Sequence, residues 1–276
     1  MKPACRLLAD GLFVERSGRV VLEDFRLQLQ AGELLVLVGP NGSGKSTALQ
    51  CMAGLLKPSA GKVHLDGRLI PEVDPLQRAR LLAYLPQAFR SQWDLDVGEL
   101  LRLGASRGFA AQRSVASITV DDELTASLDI DRLLTRRLSQ LSGGEHARAA
   151  IGWALAARSP ILLADEPTAA LDIGHQLSLM HYLRRLSPAC SMLLVLHDLG
   201  LAMRFADRIA VIAGGHLLDV GTPRSIRASG SLERAFDTEF HWAPTPHGLY
   251  PVPQHAGQDR ADKQRTVNDR HANVIS

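Results

Sequence analysis

Gly39-Pro40-Asn41-Gly42-Ser43-Gly44-Lys45-Ser46-Thr47 constrains this chain more than any other stretch. It fits the pattern G-x-x-x-x-G-K-[ST]. It follows a continuous apolar run, Leu34 to Val38, and precedes a segment that reads as a helix, Ser46 to Leu55. The run reads as a strand covered on both faces, as in a parallel sheet. Glycines let the backbone wrap an anion where a Cβ would block the required angles. Successive N–H groups and the positive end of the following helix then point at that anion. Lys45 is expected to neutralise the β- and γ-phosphates of a nucleotide, and the Ser46 hydroxyl to ligate Mg²⁺.

Composition narrows the setting. The 276 residues, 46% of them hydrophobic, can build a sizeable core. Lys and Arg number 31 against 29 Asp and Glu, a net charge of +2. That balance lacks the field of a dedicated nucleic-acid binder. Cys5, Cys51 and Cys190 are too scattered for a disulfide framework or a zinc site, and read as incidental thiols. No apolar run approaches the ~20 residues of a membrane span, and Met1 to Asp10 holds no apolar stretch of signal-peptide length. The expectation is a soluble, cytoplasmic chain whose membrane role comes through a partner.

Patterning gives the organisation. From Val21 to Gln30, Phe25, Leu27 and Leu29 alternate with Asp24, Arg26 and Gln28, the mark of an antiparallel strand with one wet face. Val63 to Ile70, with Asp66-Gly67 at its centre, reads as a hairpin. Leu82 to Leu85 is a short buried strand stopped by Pro86. From about Asp94 to Ala157 strand signals fade and helical spacing takes over, so a helical insertion within an α/β domain is expected. Strands resume at Ile161 to Ala164, Leu193 to Leu196 and Ile209 to Ile212. A crossover helix carries Ile173, Leu177, Met180, Leu183 and Leu186. The ordered domain is expected over residues 1–253, with a polar, disordered tail over 254–276.

Ile161-Leu162-Leu163-Ala164-Asp165-Glu166 is a buried strand ending in two carboxylates. The carboxyl ends of parallel strands face the ligand crevice. Asp165 is expected in the Mg²⁺ shell. Glu166 is expected to point elsewhere by strand alternation, where it can hold the attacking water and take its proton.

Leu141-Ser142-Gly143-Gly144-Glu145 carries the family signal. With the phosphate loop it resembles the ATP-binding cassette (ABC) ATPases, whose signature is LSGGQ or LSGGE. Gln87, in Ala83-Tyr84-Leu85-Pro86-Gln87, is similar to the Q-loop glutamine. Ala170-Leu171-Asp172 resembles the D-loop, and His197, in Val195-Leu196-His197-Asp198, the switch histidine. The other nine histidines have no such support and read as surface or structural residues. The resemblance covers about residues 5–253. It implies an α/β fold with a P-loop NTPase (RecA-like) core, an N-terminal antiparallel β subdomain and an inserted α-helical subdomain. It also implies ATP and Mg²⁺, catalytic roles for Glu166, His197, Gln87 and Lys45, and metal contacts from Ser46, Gln87 and Asp165.

Ser142 can cap a helix beginning near Gly144, and Gly143 and Gly144 expose backbone N–H groups, a second anion site. That site lies on the insertion and cannot easily fold back onto the first. The resemblance implies a head-to-tail homodimer, each ATP held by one chain's Lys45 and Ser46 and the other's Ser142 and Gly144. Where many relatives stack an aromatic ring on adenine, spacing here offers Arg16, whose guanidinium can also lie flat on a ring. Trp153, where relatives often have Arg, reads as packing.

Trp93 through Gly104, Ala164 through Gln176, and Glu239 through Pro253 resemble stretches of cassettes that serve importers of iron–siderophore complexes, haem and cobalamin. That likeness implies an integral-membrane permease as partner, an extracellular or periplasmic substrate-binding protein indirectly, no nucleic acid, and a place on the cytoplasmic side of the membrane. At least one of Phe89, Trp93 and Leu95 is expected to line a groove for the permease. Alternatives are a soluble cassette acting on nucleic acid or the ribosome, and an exporter cassette.

Overall fold

A computed structural model describes residues 5–107, 115, 118–246 and 248–256. The chain opens on two twelve-residue strands, β1 (Cys5–Arg16) and β2 (Arg19–Gln30), paired antiparallel. In β2, Phe25, Leu27 and Leu29 are buried while Asp24, Arg26 and Gln28 face water, as alternation predicts. β3 (Leu34–Val38) runs into the glycine loop, and helix α1 (Lys45–Met52) follows it. β4 (Ala60–Leu65) and β5 (Arg68–Leu69) form the expected hairpin, which joins the first two strands in the order β2-β1-β4-β5.

Helix α2 (Pro75–Leu81) starts on Asp74, whose side chain accepts the N–H groups of Leu76 and Gln77. β6 (Leu82–Leu85) comes directly after it. The stretch expected to be helical holds α3 (Val97–Ser106), α4 (Asp122–Ser127) and α5 (Gly143–Ala156). Asp96 and Glu99 close a reciprocal capping box at the start of α3. α3 lies hard against α5, and a Cβ on Gly104 would come within 2.3 Å of the Trp153 carbonyl oxygen. Trp153 is a packing residue. Its ring packs at a 44° tilt against Phe89, with centroids 4.9 Å apart, and lies under the Arg107 guanidinium at 4.2 Å.

The second half alternates strand and helix: β7 (Ile161–Asp165), α6 (Ile173–Leu186), β8 (Ser191–Val195), α7 (Leu199–Phe205) and β9 (Arg208–Ala213). β10 (His216–Gly221) returns antiparallel along β9. α8 (Pro223–Ser229) and α9 (Ser231–Phe236) lead to a closing hairpin, β11 (Thr238–Thr245) and β12 (Gly248–Ala256). The expected tail therefore begins inside a strand; from residue 257 it lies outside the described residues.

The main sheet has the order β10-β9-β3-β8-β7-β6, parallel except for β10. Every β3 residue is fully buried. Leu34, Val36 and Val38 face a core shared with α3, α5 and α6, while Leu35 and Leu37 face one shared with β1, β2 and α1. One strand thus seals two cores, which explains its unbroken apolar run. It also fixes the level at which the glycine loop leaves the sheet. β7 and β8 end on the same level, with Asp165 paired to Val195.

Away from that edge, Asp121 caps α4 and takes a 2.5 Å ion pair from Arg158. Arg158 and the cap N–H groups hold its carboxyl below the usual carboxylate range. The ionised pair therefore adds stability at neutral pH, and this is lost as pH falls through the lowered value. Asp121→Asn keeps a capping oxygen and removes the charge. It should melt below the parent at neutral pH, with the gap closing in acid; a gap independent of pH would contradict the pairing.

Candidate functional site

The glycine loop is shaped by contacts a side chain would forbid. A Cβ on Gly39 would fall 2.0 Å from the Ile212 carbonyl oxygen on the neighbouring strand. Lys45 turns back along the loop, its Nζ donating to the carbonyls of Gly39 and Pro40 at 2.8 Å each. It is only 6% exposed, and burial holds its pKa below the ordinary lysine value, opposed by the charges of Glu166 and Asp165. Ser43 is buried with its hydroxyl unpartnered. An incoming anion would give both groups an acceptor.

Asn41, Gly42, Gly44, Ser46 and Thr47 line one wall of an open cleft of about 510 Å³; Gln87, Glu166 and His197 line the other. Val21 lines it too, a residue the sequence marked only as part of a strand. Arg16, at the end of β1, lies outside the lining, with its guanidinium 3.5 Å from Gln50 on α1.

Asp165 is the last residue of β7 and is 3% exposed. Desolvation pushes its pKa up; a hydrogen bond from Ser46 opposes that, and the neighbouring Glu166 charge adds to it. Its Oδ1 is buried with no partner. An unsatisfied carboxylate oxygen beside a serine hydroxyl fits a hard cation with oxygen ligands. Among the described residues there is no group of three His, Cys, Asp or Glu that could hold a metal ion.

Strand alternation does not set the direction of Glu166, contrary to expectation. The strand has already ended, and Glu166 is in the left-handed region at φ 53°. A turn, and not strand alternation, aims it. Its Oε1 lies 2.5 Å from His197 Nε2, and its Oε2 accepts from Gln87 Nε2 at 2.8 Å. Residues 79 and 31 positions away in the chain thus converge on one carboxylate. The arrangement offers an oriented proton acceptor opposite the phosphate loop.

Ser142 caps α5 and forms a capping box with Glu145. Its hydroxyl donates to Glu145 Oε2 at 2.9 Å. Ser142, Gly143 and Gly144 do not line the phosphate cleft; Gly143 lines a neighbouring one with Phe89, His146 and Ala170. That neighbouring cleft shares Gln87 and Glu166 with the phosphate cleft, so the two adjoin, but Gly143 lines only the neighbouring one.

A phosphate loop after one buried strand, paired carboxylates after another and a histidine after a third define a nucleoside-triphosphate hydrolase of the P-loop class. The sequence model of the ABC transporter family matches residues 22–169. The hemin import ATP-binding protein HmuV of Nocardia farcinica is 39% identical over 236 residues, covering 83% of this chain and 82% of that one. The petrobactin import ATP-binding protein FpuC of Bacillus anthracis is 37% identical, covering 83% and 85%. Among solved structures, a dimeric post-hydrolysis state of the ATP-binding cassette MJ0796 bound to ADP and Pi matches with a TM-score of 0.71 at 27% identity, covering 79% of this chain and 99% of that one. The chain belongs to the ABC transporter family and is an ATP-binding ATPase.

Proposed function

We propose that this chain hydrolyses ATP to drive uptake of an iron complex (haem or a siderophore) or of cobalamin through a separate membrane permease. The observation that carries the hydrolytic part is Glu166, held between Gln87 and His197 and facing the phosphate loop. The loop backbone from Gly39 to Thr47 cradles the phosphates, and Lys45 releases the loop carbonyls to bind them. Ser46, Asp165 and Gln87 would hold Mg²⁺, which when bound would supply positive charge to the phosphate oxygens. Glu166 takes the proton of the attacking water, and His197 positions Glu166. Arg16 contacts the adenine.

Ser142, Gly143 and Gly144 of a second copy close the site. The absence of these residues from the lining of their own chain's phosphate cleft supports a head-to-tail pair. Trp93, 66% exposed, is the contact offered to the permease; Phe89 and Leu95 pack against the core beneath it. Among the described residues no helix is long and apolar enough to cross a membrane; in this reading the permease is a separate chain. The subunit works on the cytoplasmic face of the membrane, and a substrate-binding protein reaches it only through the permease. Import is favoured over export by relatives at 37–39% identity that are named for import.

The test is isolation of the complex from membranes. Co-purification with polytopic subunits, and loss of radiolabelled iron-complex or cobalamin uptake when the gene is deleted, is the expected result. A chain that enriches with ribosomes or DNA in a salt-dependent manner would contradict it.

A further inference from the structure

His175 lies in the first turn of α6, just beyond the turn that starts at Glu166 and ends at Asp172. Its backbone N–H donates to Asp172 Oδ1 at 2.9 Å, and its ring Nδ1 is 2.8 Å from Asp172 Oδ2. The other ring nitrogen, Nε2, faces Asp129 Oδ2 at 3.5 Å. Asp129 follows α4, in the left-handed region at φ 51°. The same oxygen also meets Arg148, whose Nη2 is 3.8 Å from Oδ2. Arg148 belongs to α5, the helix that Ser142 caps. A single line of contacts, Asp172–His175–Asp129–Arg148, therefore connects the turn after β7 to the signature helix.

We infer that His175 is a positioning residue for ATP hydrolysis: it ties the Glu166 turn to the helix that closes the neighbouring copy's site, and only the protonated ring holds both ends. This rests on the roles of Glu166 and Ser142 proposed above. A neutral imidazole carries one N–H. When that N–H serves Asp172, the bare Nε2 turns its lone pair toward the Asp129 carboxylate, and the contact becomes repulsive. The imidazolium donates from both nitrogens and pairs with both carboxylates. The charged groups brought to the ring by the described residues are Asp172 from the start of α6, Asp129 from the loop after α4, and Arg148 from α5 beside Asp129.

The turn itself has other support. Gln176 Nε2 donates to the carbonyls of Thr168 and Leu171, each at 3.0 Å. Loss of His175 therefore leaves the turn folded, with Ala170 still beside Gly144, and removes its charged link to the insertion. That separates a positioning role from a structural one.

The experiment measures kcat and KM for ATP across the range where imidazole exchanges its proton, about pH 5–8, with thermal melts as the folding control. Variants are His175→Ala, Asp129→Asn and the double mutant, beside the parent. At the acid end His175→Ala should lose about fivefold or more in kcat, the size of an ordinary coupling between sites, with KM and melting unchanged. The gap to the parent should narrow toward alkaline pH. Asp129→Asn should give the same altered profile, and the double mutant should lose no more than His175→Ala alone. Should His175→Ala fail to fold, the Asp129→Asn profile decides alone. A parental kcat–pH profile in either folded variant, or additive losses in the double mutant, would overturn the tie. Hydrolysis surviving Glu166→Gln would instead count against the base assignment, so the two failures are distinguishable.

Discussion

Glu166→Gln is expected to bind ATP as tightly as the parent and to turn it over about 10²–10⁴ times more slowly, the usual worth of a positioned general base. The amide keeps the size of the side chain, so the left-handed turn and the contact with His197 survive. It cannot accept a proton from water at neutral pH. In the parent, Oε1 and Oε2 each meet one partner, His197 and Gln87, and each oxygen keeps a second lone pair that can accept from the water. His197→Ala is therefore expected to slow turnover less than Glu166→Gln, because it loosens the base and does not remove it. Single-turnover hydrolysis beside equilibrium nucleotide binding measures both effects. Parental turnover in Glu166→Gln would remove Glu166 from the role of base.

Lys45→Ala is the second large effect, and it falls on binding. The ammonium is buried and bonded to two loop carbonyls, so it has exchanged water for protein before any phosphate arrives. Charge-assisted hydrogen bonds are each worth roughly 1.5–3 kcal/mol, which makes the loss of ATP affinity at least about tenfold. Stability without nucleotide should change little, because the variant removes a desolvated charge along with its two bonds. Isothermal titration with ATP and a melt without it test the two halves. An affinity equal to the parent's would contradict the phosphate role.

Much of the site was legible because its parts are local. The glycine loop is a continuous stretch, and its placement between a fully apolar strand and a helix is written in the residues. The crossover helix is found over Ile173–Leu186, the span its spacing predicts, because both ends carry signals: Asp172 as cap and the break before β8. α1 ends at Met52, short of the expected Leu55, and Gly54 at φ 69° is where the chain turns away.

The less legible parts depend on distance or on turn geometry. β1 hides its alternation behind register shifts, one of them spanning Gly11 at φ 61° between Ala9 and Leu12. α2 carried a readable start, Asp74 followed by Pro75, but it is too short for periodicity to stand out. The direction of Glu166 is set by its φ, which no hydrophobic pattern encodes. His175 reads as an ordinary surface histidine because Asp129 is 46 residues away; only the packing of α4 along α6 brings them together.

The central claim is that a triphosphate is closed between two copies of this chain. The most direct measurement is the solution mass of Glu166→Gln by light scattering, with and without Mg-ATP, with Ser142→Arg in the same background as control. A monomer without nucleotide, a dimer with it and a monomer again in the double variant are the predicted results. A Glu166→Gln chain that binds Mg-ATP and remains monomeric, alone and with its permease, would contradict the account.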